Sequence, residues 1–147
     1  MYKRILVATD GSTLSKKAVK SAIELAHTCG ADLLALRVVP RNAVSAWDGA
    51  AWISPGDLEK IESQWVQDAQ MTVDAVKKLA EAEGVNTKAL VMKSNLVAET
   101  ILAAAKKHKA DLVVMASHGR RGIKRIVLGS ETSNVLAHAD LPVLVLR

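Results

Sequence analysis

The sequence predicts an open α/β fold, a five-stranded parallel sheet with helices on both faces. Five short aliphatic runs, at residues 5–8, 33–39, 89–92, 112–116 and 143–146, mostly lack polar alternation, which is the mark of strands buried on both faces. The segments between them carry helical periodicity instead. Strand and helix therefore alternate from end to end, as parallel neighbours joined by crossovers require.

The first helix carries Ala18, Val19, Ala22, Ile23 and Ala26 on one face and runs out at Gly30, a residue suited to a left-handed cap. The second starts near Ser54-Pro55, a capping residue followed by proline at a first helical position, and aligns Leu58, Ile61, Trp65, Ala69, Val73, Val76 and Ala80 on one stripe before Gly84. A third follows Asn95 and buries Val97, Ile101, Leu102 and Ala105, with Lys106, Lys107 and Lys109 at the negative end of its dipole. A fourth begins at Ser130. The stretch 41–56, with Trp47, Gly49, Trp52 and Gly56, has no clear period and reads as a long loop after the second strand.

A chain of 147 residues, half of them hydrophobic, suits one domain over residues 1–147 with a single core. No run approaches the roughly 18 apolar residues of a membrane span, and Met1-Tyr2-Lys3-Arg4 leads into a strand instead of a signal peptide. A soluble, cytoplasmic protein is expected. Cys29, the one cysteine, permits no intrachain disulfide or multi-cysteine metal site and reads as a packed helical residue. The formal charge of +5 favours anionic partners, but one Tyr, three Trp and no Phe leave few stacking platforms and argue against nucleic acid. The tryptophans read as cover for an apolar edge or a partner surface.

Ligands of an open α/β sheet bind beyond the carboxyl ends of the strands, where strand order reverses. The first strand ends in Thr9-Asp10-Gly11-Ser12, and the fourth ends in Ser117-His118-Gly119-Arg120-Arg121-Gly122. If these strands are neighbours, the two loops face each other. The second loop continues to Gly129-Ser130, where a glycine allows close backbone approach and the amides of a helix's first turn, with the Ser130 hydroxyl, can receive an anion. Each glycine also has a plain role in a turn, and Ser130 one as a cap. Arg120, Arg121, Lys124 and Arg125 supply four cations without an intervening acid, enough for a triphosphate or for a solvated surface. His118 stands at a strand end, where it can meet phosphate or metal, or organise the loop by hydrogen bonds. His27, His108 and His138 fall on helices as surface or capping residues. Walker-type and dinucleotide glycine patterns are absent.

The stretches Arg4-Ile5-Leu6-Val7-Ala8-Thr9-Asp10-Gly11-Ser12, Ala110-Asp111-Leu112-Val113-Val114-Met115-Ala116-Ser117-His118-Gly119 and Leu141-Pro142-Val143-Leu144-Val145-Leu146 together resemble the universal stress protein family. Members of that family that bind ATP share a pattern of Gly, two residues, Gly, nine residues, then Gly and Ser or Thr. Gly119, Gly129 and Ser130 match it, while Ala116 replaces the first glycine and Ser94-Asn95 the family's usual glycine after the third strand. The resemblance implies an adenine-nucleotide-binding, Rossmann-like fold holding ATP, AMP or ADP, with Mg²⁺ as an accompanying ion and Asp10 its one candidate ligand. It implies that Asp10 sits near the ribose, that Ala8, Thr9 and Val38 line the adenine side, and that Ser117 and His118 lie beside the phosphates. Met115, Ala116, Gly119, Arg120, Gly129, Ser130, Glu131 and Thr132 complete the implied set.

The leading expectation is nucleotide-dependent regulation of a protein partner in a stress response. A slow ATP hydrolase or phosphotransferase, and an interaction module that binds no nucleotide, stay open beside it. The aliphatic ending Val143-Leu144-Val145-Leu146 would leave a strand edge exposed, and the family resemblance also implies a homodimer paired through this strand.

Overall fold

The computed structural model describes residues 1–41, 54–119 and 128–147. Along the chain come β1 (Arg4–Ala8), α1 (Thr13–Cys29), β2 (Asp32–Val39), α2 (Pro55–Ala82), β3 (Thr87–Lys93), α3 (Val97–Lys107), β4 (Leu112–Ala116), α4 (Ser130–His138) and β5 (Val143–Leu146). The strands form one parallel sheet in the order β3-β2-β1-β4-β5. The five runs and the alternation were read correctly.

Residues of opposite parity on each strand feed opposite faces, as the pleat requires. Ile5, Val7, Leu33, Ala35, Leu112 and Val114 pack against α1 and α2. Leu6, Leu34, Leu36, Val113 and Met115 pack against α3 and α4. Burial on both faces explains why the central strands read as unbroken aliphatic runs. The outer strands β3 and β5 are only partly covered.

Helix ends follow local chemistry. Ser12 caps α1 by accepting from Ser15 N at 3.2 Å, and Gly30 ends it at φ 66°, in the left-handed region glycine enters without a Cβ penalty. Ser54 caps α2 by accepting from Asp57 N, with Pro55 in the first turn, so the predicted loop ends before Pro55 and not at Gly56. Trp47, Gly49 and Trp52 lie outside the described residues. Of the α2 stripe, Ala69, Val73, Val76 and Ala80 are buried, whereas Leu58, Ile61 and Trp65 are half-buried. The geometric reason is length: 28 residues make a helix of about 42 Å, longer than the eight-residue β2 beneath it. Arg37 of β2 fastens the middle of this helix, donating to Thr72 Oγ1 at 2.7 Å and pairing with Asp68 at 3.2 Å. On α3 the buried residues are Ala98, Ile101, Ala104 and Ala105, while Val97 and Leu102 are half-buried.

At the amino ends of the strands, Asp111 accepts from the backbone N–H groups of Lys3 and Arg4 at 2.8 and 3.1 Å. The Arg4 guanidinium donates to the His108 carbonyl at 2.7 Å and pairs with Asp32. His108, the cap residue at the end of α3, has its pKa held below the ordinary histidine value by desolvation first, then by the positive charges of Lys88, Lys107 and Arg4. As pH falls through the ordinary value of about 6.5, the unfolded chain therefore takes up this proton before the folded one, and stability declines. Urea midpoints measured from about pH 7 to pH 5 should fall less steeply for His108→Gln than for the parent, and equal slopes would refute the contribution.

Candidate functional site

All five strands point the same way, so their carboxyl ends share one side of the sheet. β1 connects through α1 to β2 on one flank, while β4 lies on its other flank. The loops leaving β1 and β4 therefore run to opposite faces, opening a crevice between them. The neighbour relation that the sequence left conditional is present.

The β1 loop is built by short side-chain bonds to backbone. Thr9 N donates to Leu36 O at 3.0 Å, continuing the ladder one residue past the strand. The buried Thr9 hydroxyl shares a hydrogen bond with Ser15 Oγ at 3.0 Å and accepts from Gly11 N. Asp10 Oδ1 accepts from Ser12 N at 2.9 Å, and Gly11 takes φ 79° so that the chain can turn into α1. The sequence reading placed Ser12 in this loop but missed its capping role, and it missed Ser15 altogether. A serine three positions before another at the head of an apolar period was the available signal.

The β4 side is held as tightly. Ser117 N donates to Leu146 O and Gly129 N to Ser117 O, both at 2.7 Å. Ser117 Oγ shares a hydrogen bond with His118 Nδ1 at 3.1 Å, the loop-organising role foreseen for that histidine. Thr132 Oγ1 donates to Ala116 O at 2.9 Å from a buried position, tying the first turn of α4 to the end of β4. Glu131 reaches the other way, its Oε2 accepting from Ala98 N of α3 at 3.1 Å.

Two glycines fit their surroundings closely. A Cβ on Gly119 would lie 2.6 Å from Asp10 Oδ2, so this glycine seats the carboxylate of the opposite loop. A Cβ on Gly129 would come within 3.1 Å of His118 Cα and 3.2 Å of Ser117 O. Gly129 thus sits tight against the protein's own backbone, so any side chain there, and a branched one most, would press on the loop itself. Ala116 is nearly buried in β4, and among the described residues only Lys109 of the non-glycine residues has a positive φ, so alanine stands at 116 without backbone strain. At the end of β3, Ser94 Oγ accepts from Leu96 N, and Asn95 Oδ1 accepts from Arg41 N. These polar side chains build the turn where the family pattern has glycine.

Of the predicted set, Ala8, Val38 and Met115 lie on the α3/α4 side of the sheet at its carboxyl end. The Thr9 side chain turns instead toward α1. Asp10, Ser117, His118, Gly119, Gly129 and Ser130 line the two facing loops, and Arg120 with Arg121, Lys124 and Arg125 falls outside the described residues. The first intrahelical bond of α4 runs from Ser133 N to Gly129 O, so the amides of Ser130, Glu131 and Thr132 precede it, and among the described residues no side chain caps the helix. Among the described residues the exposed Ser130 hydroxyl has no hydrogen-bond partner. No three His, Cys, Asp or Glu residues among those described could jointly hold a metal ion. An apolar groove of about 840 Å³ between α1 and α2, flanked by Val19, Ile23, Val76 and Leu79, touches Thr9 and Gly11 but opens on the opposite face from Ala8 and Val38.

An open parallel sheet whose strand order reverses beside an uncapped helix start defines an α/β protein with a crevice able to receive an anionic ligand. The chain belongs to the universal stress protein family, whose profile matches residues 1–147. It is 37% identical over 147 residues to universal stress protein MJ0531 of Methanocaldococcus jannaschii, spanning all of this chain and 83% of that one. It is 31% identical over 150 residues to YxiE of Bacillus subtilis, spanning all of both. The solved structure of UspA from Lactobacillus plantarum superposes with a TM-score of 0.83 at 27% identity, covering 99% of this chain and 98% of that one. At lower identity the fold is shared with a universal stress protein of Archaeoglobus fulgidus solved in complex with dAMP (19%, TM-score 0.69, 99% and 98% covered). It is shared likewise with a universal stress protein in complex with cAMP (24%, TM-score 0.73, 99% and 97% covered).

The contact between Gly119 and Asp10 is directly testable because Gly119 has an ordinary φ, so alanine there acts through its methyl group alone. Gly119→Ala should lower the melting temperature by forcing the Asp10 carboxylate off Ser12 N. In an Asp10→Ala background the same substitution should cost markedly less, since the two changes share one contact. Additive shifts in Tm would show that the contact is not what Gly119 serves.

Proposed function

We propose that this protein binds an adenine nucleotide, ATP in preference to ADP or AMP, in the crevice between the β1 and β4 loops, and that occupancy alters which protein partner it engages. The observation that carries the reading is the uncapped start of α4 beside Gly129. Three amides and a hydroxyl without a partner among the described residues converge there with the positive end of the helix dipole. The relatives solved with dAMP and cAMP support the adenine class.

In this reading Ala8 and Val38 border the base, Asp10 accepts from the ribose hydroxyls, and the Ser130 hydroxyl with the amides that follow Gly129 receives the outer phosphates. Thr132 offers its amide, while Thr9 and Ser117, whose hydroxyls and amides are engaged within the protein, hold the shape of the two loops. Mg²⁺, if carried with the nucleotide, would draw most of its ligands from phosphate oxygens and water, as it does where a protein offers one or two carboxylates. The protein acts as one cytoplasmic domain over residues 1–147 and pairs with a second copy through β5. That strand ends the sheet and exposes Leu144 by 38%, and Leu136 of α4 stands exposed by 41% on the adjoining helix.

Ser130→Ala removes one hydrogen bond to a charged group, worth about 1.5 to 3 kcal/mol, or roughly ten- to hundredfold in affinity. Calorimetric titration should show this loss with ATP and a smaller one with AMP. Equal losses would remove Ser130 from the outer phosphates. Gly129→Val is unsuited to the purpose because it strikes the His118 backbone.

Pairing through β5 is checked by light scattering at tens of micromolar. The parent should give the mass of two chains, and Leu144→Lys, which places a charge on the shared edge, should give one. A monomeric parent would overturn the assembly.

A further inference from the structure

We propose that Glu131 is a positioning residue of the nucleotide site, acting by capping a neighbouring helix and not by touching the ligand; the proposal rests on the nucleotide reading above. Glu131 sits one residue beyond Ser130, in the first turn of α4. A carboxylate there would ordinarily remain over its own helix's amides, where the dipole favours it and where it would repel phosphate. Here Oε2 instead accepts from Ala98 N at 3.1 Å.

The need for that bond comes from α3. Its cap residue Leu96 has no side-chain oxygen, and no side chain of its own segment caps it. Its first N–H groups therefore need an acceptor from elsewhere, and Glu131 brings one from another helix 33 positions on. The same turn of α4 is anchored to β4 by Thr132, which donates to Ala116 O. Ser130 is thus placed by two ties, one into the sheet and one across to α3. The α3 tie also directs the Glu131 charge toward a second positive helix end and away from the amides that would meet phosphate. One bond supplies the missing cap, fixes the α4 start and lowers the negative potential at the anion site.

The test compares Glu131→Ala, which abolishes the acceptor, with Glu131→Gln, which retains an amide oxygen but not the charge. Hydrogen exchange of the Ala98 amide and calorimetric ATP affinity are measured on each full-length variant. In Glu131→Ala, Ala98 should lose protection and ATP affinity should fall roughly three- to tenfold, within the range for residues that act through another. Glu131→Gln should restore both. If Glu131→Ala does not fold, Ala98→Pro deletes the donor in a first turn that tolerates proline, and it should weaken ATP by the same factor.

Weaker ATP binding with Ala98 exchange unchanged would make Glu131 a direct ligand contact and overturn the proposal. Tighter ATP binding in both Glu131 variants would do so too, by showing that the charge opposes phosphate. A parent that binds no adenine nucleotide would overturn the function proposed above and the effect on ATP. Ala98 exchange would still decide whether Glu131 holds the two helices together.

Discussion

The placement of β1 between β2 and β4 governs the rest of this structure. A parallel strand can be reached only by a crossover, so β1 must send its chain to one side while β4 arrives on the other. Both flanks and both faces of β1 are then occupied, which is why Ile5, Leu6 and Val7 are fully buried. The only free boundary of such a strand is its end. Past Arg4 at its start the strand carries only apolar residues, and polar ones collect at Thr9 to Ser12, where the ladder stops and the backbone needs new partners.

Those partners are supplied locally, and this shapes what the crevice can offer. Thr9, Ser12, Ser15 and Thr132 direct side-chain oxygens at neighbouring backbone or at one another, and Ser117 shares a hydrogen bond with the His118 ring. Their bonds stiffen two loops that would otherwise have few. Among the described residues, the first amides of α4 and the Ser130 hydroxyl remain without a protein partner. The α4 start contributes its dipole to such a crevice.

The strands and helices were legible because burial on two faces, and on one face, leave distinct periods in the sequence. The α1 stripe from Ala18 to Ala26 and its Gly30 cap were read residue for residue. The α2 stripe was right in phase but too generous in depth, since periodicity reports which face is apolar and not how far the sheet extends beneath it. Gly129 shows the corresponding limit at the site. Its spacing from Gly119 matches a phosphate-binding pattern, yet the space it leaves is filled by His118 and Ser117 of its own chain. Glu131 entered the site set through the family resemblance. Nothing in a linear reading reveals that Ala98, in another helix, lacks a cap.

The overreach of α2 beyond the sheet divides that helix into two energetic regimes. Its second half holds Ala69, Val73, Val76 and Ala80 in the core, and Arg37 grips the boundary at Asp68 and Thr72. The turns before Asp68 contribute no fully buried residue. Their apolar residues Leu58, Ile61 and Trp65 are only half-buried, so opening these turns exposes less core than opening the second half would. The guanidinium marks where the cost rises: opening the helix past Asp68 would strip a mostly buried cation of its partners, whereas opening the turns before it would not.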